Sequence, residues 1–133
     1  MLKHITIEGV RNLAHAQVAL PAGATVLFGA NGSGKTSFLE AIHLLAVGRS
    51  FRTHQSKPVI QHGMAHCRVV GEVQRGGRTT VMGLEKHRDG GVKARVGGEN
   101  VPSLSELALH LPLVLLDTEG LSIVTGPPEG RRR

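Results

Sequence analysis

Aromatic residues are nearly missing from this 133-residue chain, which has three phenylalanines, no tryptophan and no tyrosine. That argues against a platform on which successive bases of a single strand stack. Cysteine is almost as scarce. Cys67 has no second thiol with which to close an internal bridge, as expected in a reducing, cytoplasmic compartment. It adjoins a strand-like run and reads as a small core residue rather than a reactive thiol. No apolar run is long enough to span a bilayer, and the N-terminus has no signal-peptide apolar region. There is no internal repeat, no low-complexity linker, and no Ser/His/Asp or Cys/His set. His62 and His66 are four apart but flank Gly63, with no acid or second cysteine beside them, so linear spacing argues against a metal site.

What remains is a chain of one-domain length with 40% apolar residues, enough for a core. Its net charge of +6 suits a polyanionic partner without naming one.

The organising stretch is Gly29, Ala30, Asn31, Gly32, Ser33, Gly34, Lys35 and Thr36, which matches the phosphate-loop pattern G-x-x-x-x-G-K-[ST] at every fixed position. Glycine lets the backbone bend tightly and bring its N–H groups to an anion where a Cβ would clash. The helix that follows presents unpaired N–H groups at its N-terminus. Lys35 is a point charge on a long stem, suited to β- and γ-phosphates. The Thr36 hydroxyl suits the shell of a bridging Mg²⁺. The context agrees. Residues 24–28 are an apolar, β-branched run that reads as a buried strand. Residues 36–45 place Phe38, Leu39, Ile42 and Leu45 at helical spacing.

The rest reads as strands and turns. Residues 2–7 and 15–20 alternate and form a hairpin ahead of the loop, with a turn over 8–12. Gly48 stops the helix. The loop after it carries Arg49, Phe51, Arg52 and Lys57. Composition favours a solvated loop, and a contact with nucleotide or DNA phosphates is the other reading. An antiparallel meander spans about 67–101, with strands over 68–73, 79–84 and 92–96 and turns at Gly76-Gly77, Asp89-Gly90-Gly91 and 97–100. Ser103 and Glu106 form a capping box before a short helix over 104–110. Residues 113–117 are four apolar residues and Asp117. They fit a buried strand with an acidic end better than a Walker B strand, whose acid holds Mg²⁺.

Taken together, G-x-N-G-x-G-K-T resembles the loop in the ATPase heads of the ABC and SMC group. Three pieces narrow the resemblance to the RecF family of bacterial DNA replication and repair proteins. These are the opening strand followed by Arg11-Asn12, the segment GANGSGKTSFLEAIHLLAVGRSFR (29–52), and the G-x-P-x-x-R-R-R stretch (126–133). The resemblance covers essentially the whole chain. It implies an α/β fold, lobe I of an ABC-type P-loop NTPase with an antiparallel β-meander, spanning 1–133 and stopping before the helical second lobe. It implies ATP and Mg²⁺ as ligands, bound by residues 29–36 with Thr36 on the metal. Arg11 would be a further nucleotide contact, and Arg49 and Arg52 candidate DNA contacts. It implies single-stranded and gapped duplex DNA, RecO- and RecR-type mediators and an ATP-dependent homodimer as partners, acting in gap repair and the SOS response.

The family's Walker B acids and signature motif lie downstream of anything in this chain, and Asp117 falls at an ordinary strand end. The expectation is therefore ATP binding without appreciable hydrolysis. Two other readings are possible from the residues. A small P-loop kinase or GTPase would use Asp117 as its acid but would need an arginine-rich lid or N-K-x-D, and neither is present. A non-catalytic DNA-binding remnant would keep the basic surface alone.

Overall fold

The structure is a computed structural model, and it describes residues 1–21, 34–53 and 57–112. Among the described residues, six antiparallel strands form one sheet: β1 (Leu2–Val10), β2 (Leu13–Ala19), β3 (His66–Arg75), β4 (Arg78–His87), β5 (Val92–Val96) and β6 (Glu99–Asn100). Their spatial order is β2-β1-β3-β4-β5-β6. Helix α1 (Lys35–Val47) packs on one face. A 3₁₀ turn, Leu104–Glu106, leads into the single-turn helix α2 (Leu107–His110). The expected strands over 24–28 and 113–117 lie outside the described residues, as do residues 29–33 of the phosphate loop and residues 126–133.

The hairpin and the meander are one sheet. β1 pairs with β2 on one side, with Ile5 opposite Val18, and with β3 on the other, with Ile7 opposite Val69. Alternation along β3 and β4 sends Cys67, Val69, Val73, Met82 and Leu84 into the core and leaves Arg68, Glu72 and Val81 outside. Cys67 is a buried free thiol, as its context suggests, and burial pushes its pKa up. β5 is half-exposed as expected, with Ala94 buried between Lys93 and Arg95.

Three local expectations change. β1 extends through residues 8–10 of the turn expected over 8–12 and ends at Val10, which leaves Arg11 and Asn12 as the turn. The reason is lateral pairing: Arg11 N donates to the Val59 carbonyl at 2.7 Å, and Gln61 N to the Gly9 carbonyl at 2.7 Å. Gly9, at φ +69°, allows this crossing, since a Cβ there would sit 2.8 Å from Met64 Sδ. The turn expected over 97–100 shrinks to Gly97-Gly98, because Glu99 and Asn100 pair with Val96 and Arg95. The Ser103 hydroxyl accepts from Ser105 N, two residues on, in place of a full capping box. Gly48 ends α1 as expected, at φ +86° with its N–H donating to the Leu44 carbonyl.

The helix seats over Gly71, mid-strand in β3. A Cβ there would lie 2.5 Å from Leu45 Cδ2 and 2.9 Å from Leu2 Cδ1. Gly71→Val is expected to destabilise the chain by about 1–3 kcal/mol through overpacking, read as a lower urea midpoint with the slope unchanged.

Lys86 is the anomaly of the core face. It is 4% exposed, sits across from Cys67, and has the Glu40 carboxylate as an attractive charge. Burial lowers its pKa more than the nearby Cys67 and Glu40 raise it. A lysine pKa lowered by folding means that the unfolded chain binds more protons, so this group's contribution to stability rises with pH. Lys86→Met is expected to be stabilising by about 1 kcal/mol near neutrality. That gain should shrink as pH approaches the ordinary lysine value of about 10.4. Denaturant melts of both proteins between pH 7 and 10.5 check it.

Candidate nucleotide-binding site

The described part of the phosphate loop is its last glycine and the start of α1. Gly34 is the N-cap at φ +98°, with no side-chain cap, and no acid lies in the first turn. No side chain caps the start of the helix, and the helix dipole favours an anion there. Lys35 and Thr36 follow in that first turn. Gly34 also touches the β1–β2 turn, where a Cβ would meet Leu13 Cδ2 at 3.0 Å.

That turn is made by Arg11 and Asn12. Arg11 has φ +54°, in the left-handed region, which costs a non-glycine residue of order 1 kcal/mol. Two bonds to a buried carboxylate hold it there. Its Nε donates to Glu40 Oε1 at 2.8 Å and its Nη2 to Glu40 Oε2 at 3.0 Å. Asn12 Oδ1 accepts from Ser37 Oγ at 2.9 Å, tying the turn to α1 a second time.

Glu40 has 0% exposure and serves a third segment. The Ser50 hydroxyl donates to its Oε2. Ser50 Oγ in turn accepts from the Arg52 backbone N–H at 2.9 Å, and Arg52 Nη1 stands 3.9 Å from Glu40 Oε1. His43 Nδ1 lies 2.6 Å from the Arg49 carbonyl, and Phe51 packs edge-on against the His43 ring. The loop after α1 is thus folded back along the helix.

These contacts shape a cleft of about 460 Å³ lined by Arg11, Asn12, Gly34, Lys35, Thr36, Ser37 and Arg52. The structure brings together Gly34, Lys35, Thr36, Arg11 and Arg52 from the expected set. Arg49 is not among the lining residues. Gly29, Ala30, Asn31, Gly32 and Ser33 fall outside the described residues. A second depression of about 500 Å³, with Arg68, Glu85, Lys93 and Arg95 in its walls, lies on the other face of the sheet.

Sequence reasoning missed Asn12, Ser37, Glu40 and Ser50. In α1 the expected stripe holds at Phe38, Ile42 and Leu45 and fails at one position. Leu39, expected in the apolar stripe, is 44% exposed, while Glu40 is buried beside Ala41 and Leu44. The ion pair with Arg11 reverses the expected burial of these neighbours. The available signal was Ser37 and Glu40 three apart, on the same helical face as Leu44.

Residues 1–123 match the family described as the RecF/RecN/SMC N terminal domain. The DNA replication and repair protein RecF of Pseudomonas putida strain W619 is 42% identical over 133 residues, 99% of this chain and 36% of that protein. The protein of the same description from Shewanella loihica is 39% identical over 99% of this chain and 37% of its own length. The chain therefore spans about a third of the length of these curated relatives. Among solved structures, the recombination mediator protein RecF–ATP of the RecFOR pathway superposes with a TM-score of 0.88, at 28% identity, over 99% of this chain and 37% of that one. A chain from a study of ATP-driven dimerisation of SMC ATPases has the same fold, at a TM-score of 0.79 and 18% identity.

Removing the carboxylate at Glu40 should leave the Arg11 guanidinium part-buried and unpaired. Glu40→Ala is expected to cost about 3 kcal/mol. Arg11→Ala added to it should cost far less than Arg11→Ala alone. A double-mutant cycle by urea denaturation measures this coupling.

Proposed function

Because the chain belongs to the RecF/RecN/SMC N-terminal domain family, matched over residues 1–123, we propose that it is the ATP-binding lobe I of a RecF-type DNA repair protein. The observation that carries this reading is the meeting of the uncapped α1 N-terminus with Lys35, Thr36, Arg11 and Arg52 around one cleft. The donor set fits a nucleotide triphosphate with its metal. It combines a helix N-terminus without a side-chain cap, three cationic side chains and the Thr36 hydroxyl, and among the described residues the carboxylate beside it, Glu40, is buried. Residues 29–36 would cradle the phosphates through backbone N–H groups, with Lys35 on the β- and γ-phosphates and Thr36 offering its hydroxyl to Mg²⁺. Arg11 faces the cleft with its guanidinium anchored on Glu40, so its charge is aimed before any ligand arrives. Arg52 is held less tightly and is 41% exposed at its side chain, which suits a contact that forms with ligand or DNA present.

ATP supplies a phosphoanhydride whose γ-phosphate oxygens can be sensed by these cations. Glu40 is committed to Arg11 and Ser50, so it is not available to activate water or to hold a metal. The proposed role of the chain by itself is therefore binding, with ATP-dependent pairing of two heads, a DNA contact through Arg49 and Arg52, RecO- and RecR-type partners, gap repair and the SOS response belonging to the complete protein. A cytoplasmic location goes with that role. Among the described residues no helix is long and apolar enough to cross a membrane.

Calorimetric titration with ATP–Mg²⁺ tests the reading. Wild type should bind, and Lys35→Ala should weaken binding at least tenfold while its melting profile stays two-state. Steady-state turnover should be the same in both. Equal binding by wild type and Lys35→Ala would remove the phosphate-loop assignment.

A further inference from the structure

We propose that His66, Glu85 and His87 form a binding site for a borderline transition-metal ion of the Zn²⁺ class, a clip across the β3–β4 end of the sheet that is separate from the nucleotide cleft. Linear spacing argues against metal in this chain because it pairs His66 with His62. The β-register pairs His66 with His87 instead, as direct cross-strand partners. Glu85 is two residues before His87 and so shares its face of the sheet.

One donor atom from each of these three residues lies within 4.8 Å of the other two. The two imidazole rings are 5.4 Å apart, tilted by 34°. All three side chains are half-buried. His87 Nε2 is buried and has no hydrogen-bond partner, although Glu85 Oε1 is only 2.7 Å away. The nitrogen and the oxygen thus stand close without the alignment of a hydrogen bond. An ion between them would use both lone pairs. Zn²⁺ holds nitrogen and oxygen donors at about 2.0–2.2 Å, which places neighbouring donors of a tetrahedral set about 3.3 Å apart. Side-chain rotation at His66 would close the remaining gap, and water would complete the set.

The surroundings are already fixed. Arg68 donates to Glu85 Oε2 through Nη2 at 2.9 Å and Nε at 3.1 Å, leaving Oε1 turned toward His87. A carboxylate oriented by an outer hydrogen bond is the usual support of a metal ligand. Behind His87, the Arg88 guanidinium donates to the Met64 carbonyl at 2.5 Å and the Gln61 carbonyl at 2.9 Å, and Arg88 N to the Ala65 carbonyl at 3.0 Å. These bonds hold the chain entering His66 against the chain leaving His87. Two imidazoles and one carboxylate favour Zn²⁺, Co²⁺, Ni²⁺ or Cu²⁺ over Mg²⁺, which prefers oxygen alone. The ion expected with ATP would therefore not compete here.

The test is a ZnCl₂ titration of the full chain, stripped with chelator and free of nucleotide, followed by calorimetry and by the histidine ring NMR signals. One equivalent should bind, with the His66 and His87 rings shifting and the His110 ring unmoved. His66→Ala and His87→Ala should each weaken binding at least about tenfold, while His110→Ala and Lys35→Ala leave it unchanged. MgCl₂ should move neither ring. The ring shifts in wild type stand even if a variant fails to fold. Zinc affinity unaltered by His66→Ala and His87→Ala, or ring shifts spread over all the histidines, overturns the proposal. Because Lys35→Ala is inert in this titration, loss of the nucleotide reading and loss of the metal site are separate results.

Discussion

A buried carboxylate on the first long helix holds the candidate site together. Glu40 lies on the core side of α1 with no exposed surface, and burying an ionised carboxylate is unfavourable unless it is paired. Its partners come from both ends of the neighbourhood, Arg11 from the β1–β2 turn and Ser50 and Arg52 from the loop after the helix. One side chain therefore fixes the position of two loops relative to the helix whose N-terminus faces the cleft. The left-handed backbone at Arg11 follows from the same constraint. The bidentate grip and the Arg11 N–H to Val59 bond together offset a conformation that arginine does not adopt by preference.

The sheet supplies the other half of this arrangement. β1 sits between β2 and β3, so the turn carrying Arg11 is anchored on both sides. Gly71 brings α1 close to β3 and so sets how far Glu40 reaches into the core. The packing that stabilises the lobe and the geometry that shapes the cleft thus share the same residues. The outer face of the same sheet carries a separate cluster, His66, Glu85 and His87.

Local chemistry was legible in the sequence, and long-range register was not. The hairpin, the helix after Gly34, its stop at Gly48 and the short strands of the meander all follow from alternation, glycine placement and helical spacing. Lys35 and Thr36 come from a local motif and Arg11 from the family resemblance, and the structure gathers all three at one cleft. Glu40 was hidden because its burial depends on a partner 29 residues away, and hydrophobic periodicity alone places a glutamate outside and Leu39 inside. The end of β1 was misplaced for a similar reason, since Val59 and Gln61 pair with it across a long interval. His87 was invisible as a neighbour of His66 until the β3–β4 register placed them opposite each other.

The most direct test of this account is the ATP–Mg²⁺ affinity of Glu40→Gln, measured at a temperature where circular dichroism shows the variant folded. Glu40→Gln keeps the shape of the side chain but removes the charge that aims Arg11 and Arg52 at the cleft. The account predicts that the variant stays folded and binds ATP–Mg²⁺ at least tenfold more weakly than wild type. Unchanged affinity in a folded Glu40→Gln protein would contradict it, and would leave Glu40 as a packing residue with no part in shaping the site.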